Sequence, residues 1–513
     1  MKMERKKNAI SGTMFGILLK VTQILFQFII RTIFIRSLGA EYLGLNSLFS
    51  AVLQVLNLAE LGVSSALVFS MYRPIAENDS EKICQLMNLY KRYYRVIGLV
   101  VFMTGVVLIP FLPHLIKGTV PPDINLYVIY AMNLAATVLS YWLFAYRNSL
   151  LVAHQRNDII SIITIVVNLC LYGLQITCLL IFKNYYLYLS LNIIAQIAIN
   201  IITAITSKKF YPDYSPNGTV SKEEQKSINA KVRDLFTSRI GSVINHSADS
   251  IVISSFLGLE LLAIYQNYYY IISALMAMFS IFFAACTAGI GNSLLVKDEK
   301  HNRTLLYNIN HIVFMAVSFF CCCFVSVCQP FMKLWVGEDL MLDFSFVILF
   351  AVYLFAEEAP RTLIVFKDAG GIWRHDRFRP LLSATFNLMM NIVLSQFIGL
   401  YGIIISTISA LMLVSLPWVV VNINNRLFNI NIKKYCIRFI MYILVIAFSI
   451  FVSYNASSLV LIDNIIVSII LKILISGSIA LIIFVLAFNK TEENKYVLQV
   501  VQGAYRKIAK KQR

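Results

Sequence analysis

Leu38-Gly39-Ala40-Glu41-Tyr42-Leu43-Gly44-Leu45 recurs 219 residues later as Leu257-Gly258-Leu259-Glu260-Leu261-Leu262-Ala263-Ile264. Four of the eight positions are identical, and Gly44/Ala263 and Leu45/Ile264 are near-equivalents. Eighteen residues before each copy stands a cation, Lys20 or Arg239, inside a strongly apolar stretch. A duplicated apolar chain with a matched cation in each half predicts a two-lobed membrane transporter for something anionic.

Composition sets the class. Of 513 residues, 59% are apolar and only 14% charged, and the mean hydropathy is +0.74. Apolar runs long enough to cross about 30 Å of hydrocarbon recur along nearly the whole chain, which excludes a soluble globular protein. The nine cysteines lie mostly inside such runs, as in Cys321-Cys322-Cys323, and lack the spacing of a disulfide framework or a zinc site. They read as small buried hydrophobes. No metal site, cofactor motif or nucleophile–base set is apparent, so an enzyme is not expected. The first apolar stretch is too long for a signal peptide and lacks a small-residue cleavage site, so it is expected to stay as an anchor.

The sequence predicts an all-α integral membrane protein of fourteen spans, at about 9–36, 43–70, 95–116, 124–146, 158–182, 185–206, 234–256, 262–293, 306–332, 344–366, 380–398, 402–424, 435–454 and 464–488. Loop charge tests the count. With the amino terminus inside, cytoplasmic segments hold 35 Lys and Arg and outer connectors only four, Arg36, Lys117, Lys183 and Lys333. One miscounted span would scramble that alternation, so both termini are expected in the cytoplasm. The net charge of +18 is thereby explained by topology, and no nucleic-acid partner is implied.

Further pairs support a six-helix period. Pro110-Phe111-Leu112 and Pro330-Phe331-Met332 end the third and ninth spans, followed by Gly118 and Gly337. Leu143-Phe144-Ala145 and Leu354-Phe355-Ala356 lie in the fourth and tenth. The expected layout is an N-lobe over 1–206, a polar linker over 207–233, a C-lobe over 234–424, two appended helices over 425–488 and a basic amphipathic tail over 489–513. The tail's apolar spacing (Tyr496, Val497, Val500, Val501, Ala504, Ile508) suits the inner membrane surface and its anionic lipid.

Five basic residues fall within spans: Lys20, Arg31, Arg239, Arg361 and Lys472. A charge at mid-bilayer costs roughly 2.5–3.5 kcal/mol on insertion scales, so each needs a reason. Lys20, Gln23, Gln27 and Arg31 share one narrow face of the first helix. Lys20 lies about 16 Å along it at 1.5 Å per residue, and the stripe is expected to line a wet central cavity. Arg239, Ser242, His246 and Asp249 repeat the pattern on the seventh, and Asn57 and Glu60 share a polar side of the second. Glu357, Glu358 and Arg361 lie on the tenth, Glu357 and Arg361 four residues apart, and Tyr268 sits in an aromatic–amide run on the eighth.

These residues have two readings. Arg239, Arg147 and Lys472 either snorkel or face a cavity; Glu357–Arg361 is either a structural pair or a transport site; His246 is either a hydrogen-bonded core histidine or a proton switch; Tyr268 is either a sugar platform or part of an interfacial belt. On the functional reading, Lys20, Gln27, Arg31, Asn57, Arg239, Arg361 and Tyr268 bind substrate, with cations holding a phosphate or pyrophosphate. Glu60, His246, Asp249 and Glu357 would exchange H+ or Na+.

The six-plus-six-plus-two plan, Arg36-Ser37-Leu38-Gly39-Ala40-Glu41-Tyr42-Leu43-Gly44 and Leu58-Ala59-Glu60-Leu61-Gly62 resemble Wzx-type polysaccharide flippases. These belong to the multidrug/oligosaccharidyl-lipid/polysaccharide (MOP) exporter superfamily. The resemblance implies a MATE/MOP-like fold and an undecaprenyl-pyrophosphate-linked oligosaccharide flipped across a bacterial plasma membrane. It also implies a V-shaped cationic cavity, coupling to a cation gradient, and a monomer alongside polysaccharide polymerase machinery. Rival readings are a lipid II flippase, a multidrug/cation antiporter, and a membrane enzyme, the last disfavoured by outer connectors no longer than about eleven residues.

Overall fold

The computed structural model describes residues 5–499 and 502, except 61, 119 and 461. Every element among them is helical. The chain divides into two compact units, the first reaching Ala263 and the second starting at Ile264.

The first unit holds α1 (Arg5–Leu38), α2 (Ala40–Leu56), α3 (Val63–Glu77), α4 (Ser80–Leu108), α5 (Leu126–Trp142), α6 (Ala145–Ala153), α7 (Asn157–Thr177), α8 (Tyr185–Phe210) and α9 (Lys222–Phe256). Most of 207–233, expected as a linker, is helix, because α8 runs to Phe210 and α9 starts at Lys222. The short connector is stitched down: Arg147 Nη1 donates to the Tyr214 carbonyl at 2.9 Å and Asn88 Nδ2 to that of Gly218 at 2.7 Å. Lys82 pairs with Glu224 across the same region.

The helix α10 (Leu259–Val296) crosses the unit boundary. The second unit continues with α11 (Glu299–Trp335), α12 (Phe344–Glu358), α13 (Arg361–Ala369), α14 (Trp373–Asp376), α15 (Arg379–Ile398), α16 (Leu400–Ser409), α17 (Leu416–Arg426), α18 (Ile432–Ser458) and α19 (Ile465–Ala487). Residues 492–499 add a short helical segment, tied to α18 by an Arg438–Glu493 ion pair. Of the expected amphipathic tail, Val500, Val501, Ala504 and Ile508 lie outside the described residues.

Ten helices among the described residues are long and apolar enough to cross a membrane, or eleven if α5 and α6, bent by 53°, count as one. The protein is a multi-pass membrane protein. The expected fourteen are not reached by this measure, and the shortfall lies at 43–70, 234–256 and 344–366. The first breaks at Asn57–Glu60, a 3-10 turn, and the third breaks at Pro360. The second lies in α9, whose polar residues dilute its apolar run.

The backbone carries the repeat. Gly39 and Gly258 both have φ 107°, and Gly118 and Gly337 have φ 95° and 91°. Each pair is 219 residues apart, and such positive φ values are open mainly to glycine. Leu143-Phe144-Ala145 and Leu354-Phe355-Ala356, by contrast, are not equivalent. Phe144 sits in a left-handed break at φ 59°, whereas Phe355 is inside α12. The breaks themselves correspond, since each is followed by a nine-residue helix, α6 or α13.

Charges counted above as topology signals also stitch loops. Asp376, almost fully buried, accepts from Lys367 Nζ at 2.9 Å, from Arg379 Nε and Nη2 at 2.9 and 3.0 Å, and from Asn422 Nδ2 at 3.3 Å. In the first unit Arg156 grips Asp158 with two bonds of 3.0 and 3.1 Å. Buried carboxylates persist where cations and amides satisfy them in this way.

Candidate functional site

Helix α1 packs its inner face on α7, where Phe26 stacks on Tyr172 at 5.1 Å, and its end on α8, where Phe34 meets Tyr185 and Tyr188. The polar stripe divides along that packing. Lys20 and Gln27 are exposed, Gln23 is half-buried, and Arg31 is half-buried within electrostatic reach of Tyr188. Lys20 is therefore an exposed cation deep in an apolar helix, whereas Arg31 is partly absorbed into packing.

A second group forms where the expected second span breaks. After Leu56 the chain tightens into Asn57–Glu60 and turns through Gly62 at φ 87°. This places Glu60 against α4 and α5. Tyr94 Oη donates to Glu60 Oε1 at 2.7 Å, and Tyr141 Oη donates to Asn57 Oδ1 at 2.8 Å while lying 3.4 Å from Glu60 Oε2. Tyr90 stacks on Tyr94, centroids 4.9 Å apart and planes 8° from parallel, which fixes the donor ring. Asn57 and Glu60, both expected from sequence, are thus brought together. Tyr94 and Tyr141 are not among the expected site residues; the Tyr90/Tyr94 spacing of one helical turn is visible in the sequence, but nothing in it points to Glu60.

On α9, Asp249 is buried inside the first unit and Ser247 Oγ donates to Gln54 Oε1 at 3.3 Å. The side chains of Arg239 and His246 lie outside the described residues.

The second unit separates its candidates. Tyr268 is fully buried: its hydroxyl accepts the Leu342 amide at 3.0 Å and donates to Gln329 Oε1 at 3.2 Å, and its ring stacks on Phe350 at 5.8 Å. That is a core clasp with no open face for a sugar. Glu357 accepts from Tyr353 at 3.3 Å, and Arg361 donates to Ser280 at 2.7 Å, with Pro360 interrupting the helix between them. The neighbouring Glu358, one of the three charges of this span, is not among the expected site residues. It is fully buried, and neither carboxyl oxygen has a hydrogen-bond partner among the described residues. A buried intramembrane carboxyl of this kind is a functional candidate by its cost alone.

Among the described residues no group of three or more His, Cys, Asp or Glu could hold a metal ion. Chemically, the arrangement offers an exposed cation on α1 and a carboxyl group, Glu60, that accepts from two phenols in a helix break.

A family model described as polysaccharide biosynthesis protein matches residues 9–288. No curated protein matches the sequence. Among solved structures, the fold is similar to that of the lipid II flippase MurJ in an inward closed conformation, with a TM-score of 0.64 and 14% identity, over 92% of this chain and 99% of that one. It is also similar to an inward-facing multidrug resistance MATE family transporter of the MOP superfamily, with a TM-score of 0.53 and 16% identity, over 78% and 92% of the two chains. A MATE structure in the bent conformation gives 0.54 and 16%, over 81% and 93%. At these identities the likeness is one of fold. Because the family match covers more than half of its length, this chain belongs to the polysaccharide biosynthesis protein family, built on the membrane fold of MOP-superfamily transporters.

Proposed function

We propose that the protein flips an undecaprenyl-pyrophosphate-linked oligosaccharide from the cytoplasmic to the outer leaflet of a bacterial plasma membrane, for surface polysaccharide assembly. The observation that carries this reading is the polysaccharide biosynthesis match over residues 9–288. The exposed Lys20, deep in an apolar helix, supports it, because a cation at low dielectric attracts phosphate far more strongly than one in water. Both termini lie in the cytoplasm on this reading, as the loop charges require.

Transport proceeds by alternating access and is coupled to a cation gradient through Glu60. Tyr94 supports that role by donating its hydrogen bond to the carboxylate, so loss of the charge, by protonation or substitution, weakens a charge-assisted bond. Glu60→Gln is expected to reduce flipping several-fold and to flatten its dependence on pH or sodium; an unchanged ion dependence in vesicles would remove Glu60 from coupling.

A second reading, lipid II flipping, is supported by the extent of the MurJ likeness, 99% of that chain. Complementation separates the two. Rescue of a strain lacking its capsule or O-antigen flippase, without rescue of one depleted of its lipid II flippase, is the expected result; the reverse would overturn the oligosaccharide assignment.

A further inference from the structure

A cavity of about 490 Å³ lies in the second unit, where α10 ends and α11 begins. Its volume falls within the roughly 300–1,000 Å³ of small-ligand sites. Phe282, Cys286 and Ile290 of α10, with Leu305, Ile309 and Ile312 of α11, make an apolar wall. At the turn between the helices the lining changes to Lys297 and His301, and Tyr496 joins it from the segment after α19.

The turn is held rigidly. Ser293 Oγ donates to Asn302 Oδ1 at 2.7 Å, and Asn302 Nδ2 donates to the Lys297 carbonyl at 3.1 Å. Its two acids are occupied by backbone. Asp298 accepts the His301 amide at 3.2 Å, and Glu299 accepts the Asn429 amide at 2.8 Å. Just before Lys297, Leu295 is 87% exposed and Val296 68%. Bare aliphatic side chains running directly into a lysine mark the boundary between hydrocarbon and headgroups. The loop-charge topology puts this turn at the cytoplasmic face.

We propose that this cavity binds an anionic glycerophospholipid, with an acyl chain along the α10–α11 wall and its phosphate against Lys297 and His301. Each competing ligand satisfies only part of the lining. Free phosphate gains nothing from an apolar wall, and a zwitterionic lipid brings its own cation to Lys297. An anionic lipid uses both halves, and Tyr496 closes over it, linking occupancy to the carboxy-terminal segment.

The site is independent of which substrate is flipped, so the readout is retained lipid. The full chain in mild detergent is mixed with equal amounts of phosphatidylglycerol and phosphatidylcholine, and bound lipid is quantified by native mass spectrometry. Phosphatidylglycerol is expected to exceed phosphatidylcholine about fivefold, the preference one interfacial cation supplies. Lys297→Glu removes that preference. Gly289→Phe fills the cavity and abolishes retention of both lipids, because Gly289 lines it and a Cβ there meets nothing within 4 Å. Gly291→Phe, equally open but off the wall, leaves retention unchanged. No preference in the wild type, wild-type retention in Gly289→Phe, or equal displacement by inorganic phosphate or a polyprenyl phosphate would overturn the assignment.

Discussion

On the proposed function, alanine at Lys20 is expected to abolish flipping while leaving the amount of protein in the membrane unchanged. A unit charge about 4 Å from a phosphate is worth about 4 kcal/mol at an effective dielectric near 20, or roughly a thousandfold in affinity. Folding does not rely on this side chain, which is exposed on α1. Its removal also relieves an insertion cost of roughly 2.5–3.5 kcal/mol, so expression has no reason to fall. Lys20→Arg keeps the charge and should retain most activity. Arg31→Ala is expected to lose activity too, with some loss of stability, because Arg31 is half-buried near Tyr188. Surface polymer in a complemented flippase mutant, normalised to membrane protein, measures both. Wild-type polymer in Lys20→Ala would sink the cationic site, as would a cysteine there that water-soluble reagents cannot label.

Gly44→Val is expected to prevent stable folding. Gly44 is buried on α2, and a Cβ there would run into the Leu259 carbonyl group, with the Leu259 Cα only 3.1 Å away. The opposing atoms are backbone, so no side chain can swing aside, and the cost should reach about 3 kcal/mol or more, the upper end for overpacking. Gly16→Val is the control, since a Cβ at Gly16 meets nothing within 4 Å. The check is the monodisperse, folded fraction in detergent before and after heating. A Gly44→Val protein as heat-resistant as wild type would rule out close packing of α2 on Leu259. The contact also explains a departure from symmetry in the opening repeat. Gly44 lies against Leu259, itself part of the second copy, whereas Ala263 at the position matching Gly44 carries a Cβ in a buried site.

Much of the fold was legible because the membrane imposes severe local rules. A long apolar run must be a helix, since lipid offers its backbone no other hydrogen-bond partner. The octapeptide's two copies, with the further Pro-Phe pairs in the same order, read as a repeat, and the matching φ of 107° at Gly39 and Gly258 agrees with it. The site was legible only in part. Asn57 and Glu60 stand out as polar residues in an apolar run, and Lys20 as a mid-span cation. The four-residue spacing of Glu357 and Arg361 suits a pair, yet Pro360 interrupts the helix and the buried carboxyl is Glu358.

The helical membrane class, the repeat and the few charges that hydrocarbon should not tolerate can all be read along the chain, because they follow from local composition and period. Which groups meet depends on how the helices pack. Tyr94 and Tyr141 reach Glu60 from α4 and α5, 34 and 81 residues away, and Tyr268 turns into the core of its unit. Periodicity tells which residues share a helix face, and only the packing of that face settles whether they meet solvent, a ligand or another helix.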